Sequence, residues 1–110
     1  MERAPTELLR GTLDLLVLQV LSEGPMHGYA IGQRIRQMSG EVLQIEHGSL
    51  YPSLYRMESR GWLRSRWGQS DQGRRAKIYE LTRTGERQLH AESAGCAEFV
   101  RAVGRVLGTA

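Results

Sequence analysis

The chain reads as a mainly α-helical protein with one β-hairpin, an α+β arrangement, and three observations predict it. Two segments of helical periodicity, residues 28–39 and 47–61, lie close together with a brief link between them. Residues 62–81 then change to a period of two around a middle made of turn formers. From Thr82 the helical spacing returns and persists for about 24 residues, roughly 36 Å of helix.

Taken in order, Met1 to Pro5 reads as a loose arm. Thr6 is placed to cap a first helix that runs to about Ser22, closed by Gly24 and Pro25. Its apolar residues, Leu8, Leu9, Leu13, Leu15, Leu16, Val17, Leu18, Val20 and Leu21, surround the helix instead of striping it. Such a helix must be covered on nearly all sides, and a second subunit is the economical cover. Asp14 and Gln19 interrupt the run; facing solvent and pairing across an interface are both open to them.

Met26 and His27 lead into the second helix, in which Ile31, Ile35 and Met38 form an inward stripe. Gly28 and Gly32, four apart, share a bare face that lets another helix approach closely. Gly40 breaks this helix, and Val42, Leu43 and Ile45 make an extended link to the third. There Leu50, Leu54 and Met57 fall at i, i+4 and i+7, one apolar stripe. Pro52 has no N–H and belongs in a first turn, so the helix is expected to begin near Gly48 or Ser49; Gly61 ends it. The opposite face carries Pro52, Tyr55, Arg56 and Ser59, flanked by Ser49, Ser53 and Arg60 on one edge and Tyr51 on the other. No carboxylate stands on it. Hydroxyls, phenols and a guanidinium suit a groove of nucleic acid, where arginine pairs with guanine; an ordinary amphipathic surface helix is the plain alternative.

Trp62 to Trp67 and Ala76 to Leu81 alternate as strands around Gly68-Gln69-Ser70-Asp71-Gln72-Gly73, which is turn chemistry throughout. On the far side of this hairpin stand Arg74, Arg75 and Lys77. The net charge of +3 is uneven: residues 1–50 hold four arginines and six acids, −2, while residues 51–87 hold nine basic and four acidic residues, +5. A basic hairpin alone is commonly just solvated. After a helix pair, and inside the basic stretch of the chain, it reads as a wing that grips the phosphate backbone or reaches into a minor groove. The expected architecture is therefore a winged helix-turn-helix over residues 1–82, with the remaining residues 83–110 as a long C-terminal dimerisation helix.

That last helix opens at Thr82 or Thr84 and repeats Leu89, Cys96, Val100, Val103 and Leu107 in a heptad-like seam, with Phe99 beside it. With Leu8 and Leu16 of the first helix, these are the residues expected to join two copies as a homodimer. His27, His47 and His90 show no metal-ligand spacing with one another or with Cys96, which sits on the apolar seam as a packed thiol. No phosphate loop, nucleophile elbow or paired-acid motif is present, so neither an enzyme nor a cofactor is expected. The longest apolar run, Leu15 to Leu18, is too short for a bilayer, and one cysteine fits a reducing cytoplasm.

Several of these motifs occur together in a known order. Gly48-Ser49-Leu50-Tyr51-Pro52, then Leu54, Arg56-Met57-Glu58 and Gly61, precede a Tyr79-Glu80-Leu81-Thr82-x-x-Gly85 turn. Upstream stand Leu13-Asp14-Leu15-Leu16-Val17-Leu18 and His27-Gly28-Tyr29-Ala30-Ile31. Over about residues 8–89 the chain resembles the PadR family of winged-helix transcriptional regulators. The resemblance implies a bacterial repressor that binds an inverted repeat in double-stranded DNA as a homodimer, through its first and last helices. It implies DNA contacts by Ser49, Tyr51, Pro52, Tyr55 and Arg56 on the recognition helix, and by Arg74, Arg75 and Lys77 on the wing. Ending after one long helix, the chain is similar to the short subfamily. Some members of that group hold flat hydrophobic compounds between subunits against a tryptophan of the last helix. Here that helix has only Phe99, and an aromatic effector would be lined by Leu8, Val17, Phe99 and Val103. The competing function is a winged-helix protein-interaction module without specific DNA binding, which has no need of a basic wing.

Overall fold

The computed structural model describes residues 12–70 and 72–109. Within them the order is α1 (Leu13–Leu21), β1 (Met26–His27), α2 (Gly28–Met38), α3 (His47–Ser59), β2 (Leu63–Gln69), β3 (Arg75–Leu81) and α4 (Arg83–Leu107). The predicted cap at Thr6, and Leu8 with it, lie outside the described residues.

The core is built around α1. Leu13, Val17, Leu18, Val20 and Leu21 are buried, because α2, α3, β3 and α4 all pack on this one helix. Sequence alone assigned that all-round apolar character to a partner subunit; the chain itself covers most of it. Ile31 and Ile35 of α2, Leu50, Leu54 and Met57 of α3, Leu63, Tyr79 and Leu89 complete the same cluster. Met38, expected inward with Ile31 and Ile35, is exposed instead. It is the last residue of α2 and borders a shallow apolar groove with Leu16, Val20, Ile35 and Leu43.

The hairpin forms as expected and is longer by one residue per strand, with Leu63↔Leu81 and Gln69↔Arg75 at its two ends. The sequence reading missed β1, which pairs antiparallel with β3 through Met26↔Tyr79 and His27↔Ile78, giving the strand order β1-β3-β2. Two residues are too few to show alternation. His27 then becomes the N-cap of α2, its Nδ1 accepting from the Ala30 N–H at 3.3 Å.

Helix α3 starts at His47, a little earlier than expected, so Pro52 lies in its second turn. The Gly48 carbonyl thereby loses its usual donor, on the exposed side of the helix. Gly61, at φ 79°, closes α3: its N–H bonds the Glu58 carbonyl at 3.0 Å and the Trp62 N–H bonds that of Met57 at 3.0 Å. Thr82 ties this end to α4. Its hydroxyl accepts from the Gly85 N–H at 3.0 Å as the N-cap and donates to the Gly61 carbonyl at 2.7 Å.

Candidate nucleic-acid interface

Two elements meet at the candidate interface, α3 and the β2–β3 hairpin. On α3 the buried stripe of Leu50, Leu54 and Met57 turns the opposite side to solvent, where Ser49, Tyr51, Pro52, Tyr55 and Arg56 are all exposed. Tyr55 stands out furthest, at 73% exposure. The hydroxyl end of the Tyr51 ring packs closely on α2. A side-chain carbon on Gly28 would lie 2.8 Å from the Tyr51 ring, so the bare surface of α2 is what lets the phenol lie there. Edge-on contacts extend this surface from Tyr51 to His47 at 5.6 Å and from His47 to Tyr29 at 6.2 Å between ring centres. Tyr29 belongs to α2 and His47 opens α3. The sequence reading singled out neither as a site residue, because their adjacency depends on how two helices cross.

Two carboxylates, one on α1 and one on α3 itself, tie α3 to its neighbours. Asp14 of α1 accepts on a single oxygen from Ser53 Oγ at 2.5 Å and from Arg56 Nη2 at 2.7 Å. Ser53, expected at the edge of the outer face, is therefore buried at 1% exposure, its hydroxyl satisfied by a residue from another helix. Glu58 of α3 accepts from Ser65 Oγ of β2 at 2.5 Å and from Lys77 Nζ of β3 at 3.3 Å. Helix α3 and the hairpin are thus joined through Glu58.

The wing residues fall into two groups. Arg74 and Arg75 are exposed near the hairpin tip, and the Arg75 guanidinium lies over the Trp67 ring, 4.5 Å from its centre. Cross-strand register puts Trp67 opposite Lys77 and Gln69 opposite Arg75. All four therefore share the face on which Ser65 and Lys77 reach α3. Lys77, expected as a free phosphate contact, is half-buried and paired with Glu58 while lying 5.7 Å from the Tyr79 ring centre. Burial pushes the Tyr79 hydroxyl up, against an opposing effect of the Lys77 charge.

The residues expected to join two copies separate as well. Leu89 is in the core and Leu16 packs against it. Cys96 is half-buried, and Phe99, Val100, Val103 and Leu107 are exposed along the outer part of α4. For the effector lining, Val17 is fully buried inside the chain and offers no surface to a ligand; Phe99 and Val103 remain open. Among the described residues no cluster of histidine, cysteine and acids can hold a metal ion, and no helix is long and apolar enough to cross a membrane.

Known proteins share this fold. Residues 17–91 match the transcriptional regulator PadR-like family. The chain is 27% identical over 78 residues to the negative transcriptional regulator PadR of Bacillus subtilis, covering 71% of this chain and 43% of that protein's length. A transcriptional regulator of Mycobacterium tuberculosis is 29% identical over 97 residues, covering 88% of this chain and 87% of the relative. The crystal structure of a PadR family transcriptional regulator from Eggerthella lenta superposes with a TM-score of 0.77 at 36% identity, covering 94% of this chain and 88% of that one. With the family match spanning most of its length, this chain belongs to the PadR-like family of transcriptional regulators and is a DNA-binding regulator with a winged-helix fold.

Proposed function

We propose that this protein represses transcription by binding an inverted-repeat operator as a homodimer. In this reading residues 1–82 bind DNA and 83–110 join the two copies. The observation that carries it is the acid-free outer face of α3, with Tyr51, Pro52 and Tyr55 exposed beside the arginines of the wing. Helix α3 enters the major groove, where Ser49, Tyr51, Tyr55 and Arg56 meet base edges and phosphates, and Arg74 and Arg75 rest on the backbone. The Bacillus subtilis relative is a negative regulator, which supports repression.

Two copies meet through the exposed apolar side of α4, since Phe99, Val100, Val103, Val106 and Leu107 form a surface that water covers poorly. Their recognition helices then stand about 34 Å apart, one duplex turn. Any aromatic effector of the protein belongs in the same place, against Phe99 and Val103, where a change in subunit spacing would release one half-site.

Selection of bound duplexes from a random library, with sedimentation of the complex, tests this reading. A palindromic consensus with half-sites one turn apart, bound by two chains, is the expected result; recovery of no consensus would overturn it. Arg75→Ala should weaken binding to every duplex alike and reduce the slope of log affinity against log salt by about one. Lys77→Ala should change that slope less, because its charge is already matched by Glu58.

A further inference from the structure

We infer that Asp14 is a positioning residue for DNA recognition: from α1 it holds the Arg56 guanidinium of α3 so that the side chain meets a guanine already oriented. This rests on the reading that α3 enters the major groove, and it adds a residue outside α3 and the wing to the recognition apparatus.

The geometry is specific. Ser53 and Arg56 are three apart on α3, so both reach the same side of the helix and one carboxylate oxygen serves both, at 2.5 and 2.7 Å. The buried Ser53 hydroxyl fixes where that oxygen sits, since a hydroxyl has one proton to donate and this one goes to Asp14. Asp14 is itself held on the second residue of α1, the helix around which the core is packed. The acceptor that Arg56 leans on is thus rigid. The other surface arginine pairs, Arg34 with Glu23, Arg36 with Glu41 and Arg64 with Glu80, join more exposed partners with no buried hydroxyl between them.

Asp14 orients Arg56 without removing it from solvent. The Arg56 side chain is 45% exposed, against 24% for Asp14. Among the described residues only its Nη2 is bonded, which leaves the rest of a five-donor fork directed away from Asp14. An unrestrained arginine must give up rotamer freedom when it docks on a base; one already held gives up less, and misfit bases are discriminated more sharply. A carboxylate that sequestered the guanidinium would instead bury it.

The test uses the full chain and a duplex selected by the wild-type protein from a random library. Affinity is measured for that duplex and for a scrambled duplex of the same length, and their ratio is the readout. Asp14→Asn should lower the ratio about tenfold, while affinity for the scrambled duplex stays level or rises with the lost negative charge. The Asp14→Asn/Arg56→Ala double variant should be no worse than Arg56→Ala alone. Arg56→Lys keeps the charge and the ion pair but lacks the fork. It should lose the ratio while melting like wild type, and it serves if Asp14→Asn fails to fold. A ratio unchanged in Asp14→Asn, or unchanged in Arg56→Lys, overturns the inference. A ratio that rises in Asp14→Asn shows sequestration and overturns it too. If the wild type selects no duplex, the DNA-binding reading falls first and this inference with it; if the wild type selects one and Asp14→Asn keeps the preference, the inference alone falls.

Discussion

The inner and outer halves of α4 carry one apolar seam into opposite surroundings. Leu89, seven residues into the helix, is 6% exposed against α1, whereas Val100 and Leu107 are 61% and 69% exposed. Leu89, Val100 and Leu107 are large apolar side chains on one seam of one helix. What differs is the body beneath them, for the core ends while the helix continues. Periodicity therefore reports which side of a helix is apolar, and only packing reports what covers it.

Breaking the outer half should give the largest effect. Val100→Glu with Val103→Glu removes two apolar side chains from each copy, four from the proposed homodimer contact, about 3–6 kcal/mol of association per copy at roughly 1.5–3 for each buried valine, before the carboxylates are desolvated. Sedimentation should show monomers at concentrations where the wild type is dimeric, and the melting of the monomer itself should hardly move. Dimers that persist in this variant would place the subunit contact elsewhere.

Breaking the inner half should act on folding. Leu89→Ala leaves a hole between α4 and α1 and should cost about 2–5 kcal/mol of stability, read as a lower denaturant midpoint whatever the protein concentration. If that loss instead depends on protein concentration, Leu89 belongs to the subunit contact and the contrast between the halves is wrong.

The same distinction explains what was legible in the sequence. Helices α2 and α3 and the hairpin were, because stripe, turn residues and caps are local signals. The burial of Ser53 was not. Its position on the helix pointed to the rim, and the carboxylate that satisfies it lies 39 residues earlier in the chain. Nor was the pairing of Arg56 with Asp14 or of Lys77 with Glu58, which gives each of these two expected DNA contacts an acidic partner within the chain. Met38 failed in the opposite sense: its spacing was right, and no described element covers the groove it borders. In each case the missing information was a contact made by another element.

Phe99 sharpens the comparison at smaller scale. It lies on the outer half and is exposed in the single chain, so Phe99→Ala should leave folding nearly unchanged. An aromatic compound that releases the operator duplex should bind this variant about 2- to 12-fold more weakly, the worth of one ring contact at roughly 0.5–1.5 kcal/mol. Equal release from both proteins would remove Phe99 as the platform.

Cys96 lies between the halves, and its response should be the smallest. It is a free, half-buried thiol on the seam, after Leu89 and before Phe99. Cys96→Ser changes little in volume but replaces a weakly polar group by a hydroxyl, whose burial without a partner costs about 1–3 kcal/mol. Two effects reduce that figure. The position is only half-buried in the single chain, and a serine within a helix can donate to the carbonyl four residues earlier, here Glu92. Folding stability should thus fall by less than about 0.5 kcal/mol, a value typical of surface changes. Association should suffer more, by about 0.5–1 kcal/mol, because the second copy would cover the half that water now reaches. Under reducing conditions, sedimentation should show the dimer weakened about 2- to 5-fold while melting of the dilute monomer is unchanged. A variant that melts earlier yet associates normally would move the boundary outward and assign Cys96 to the core of its own chain.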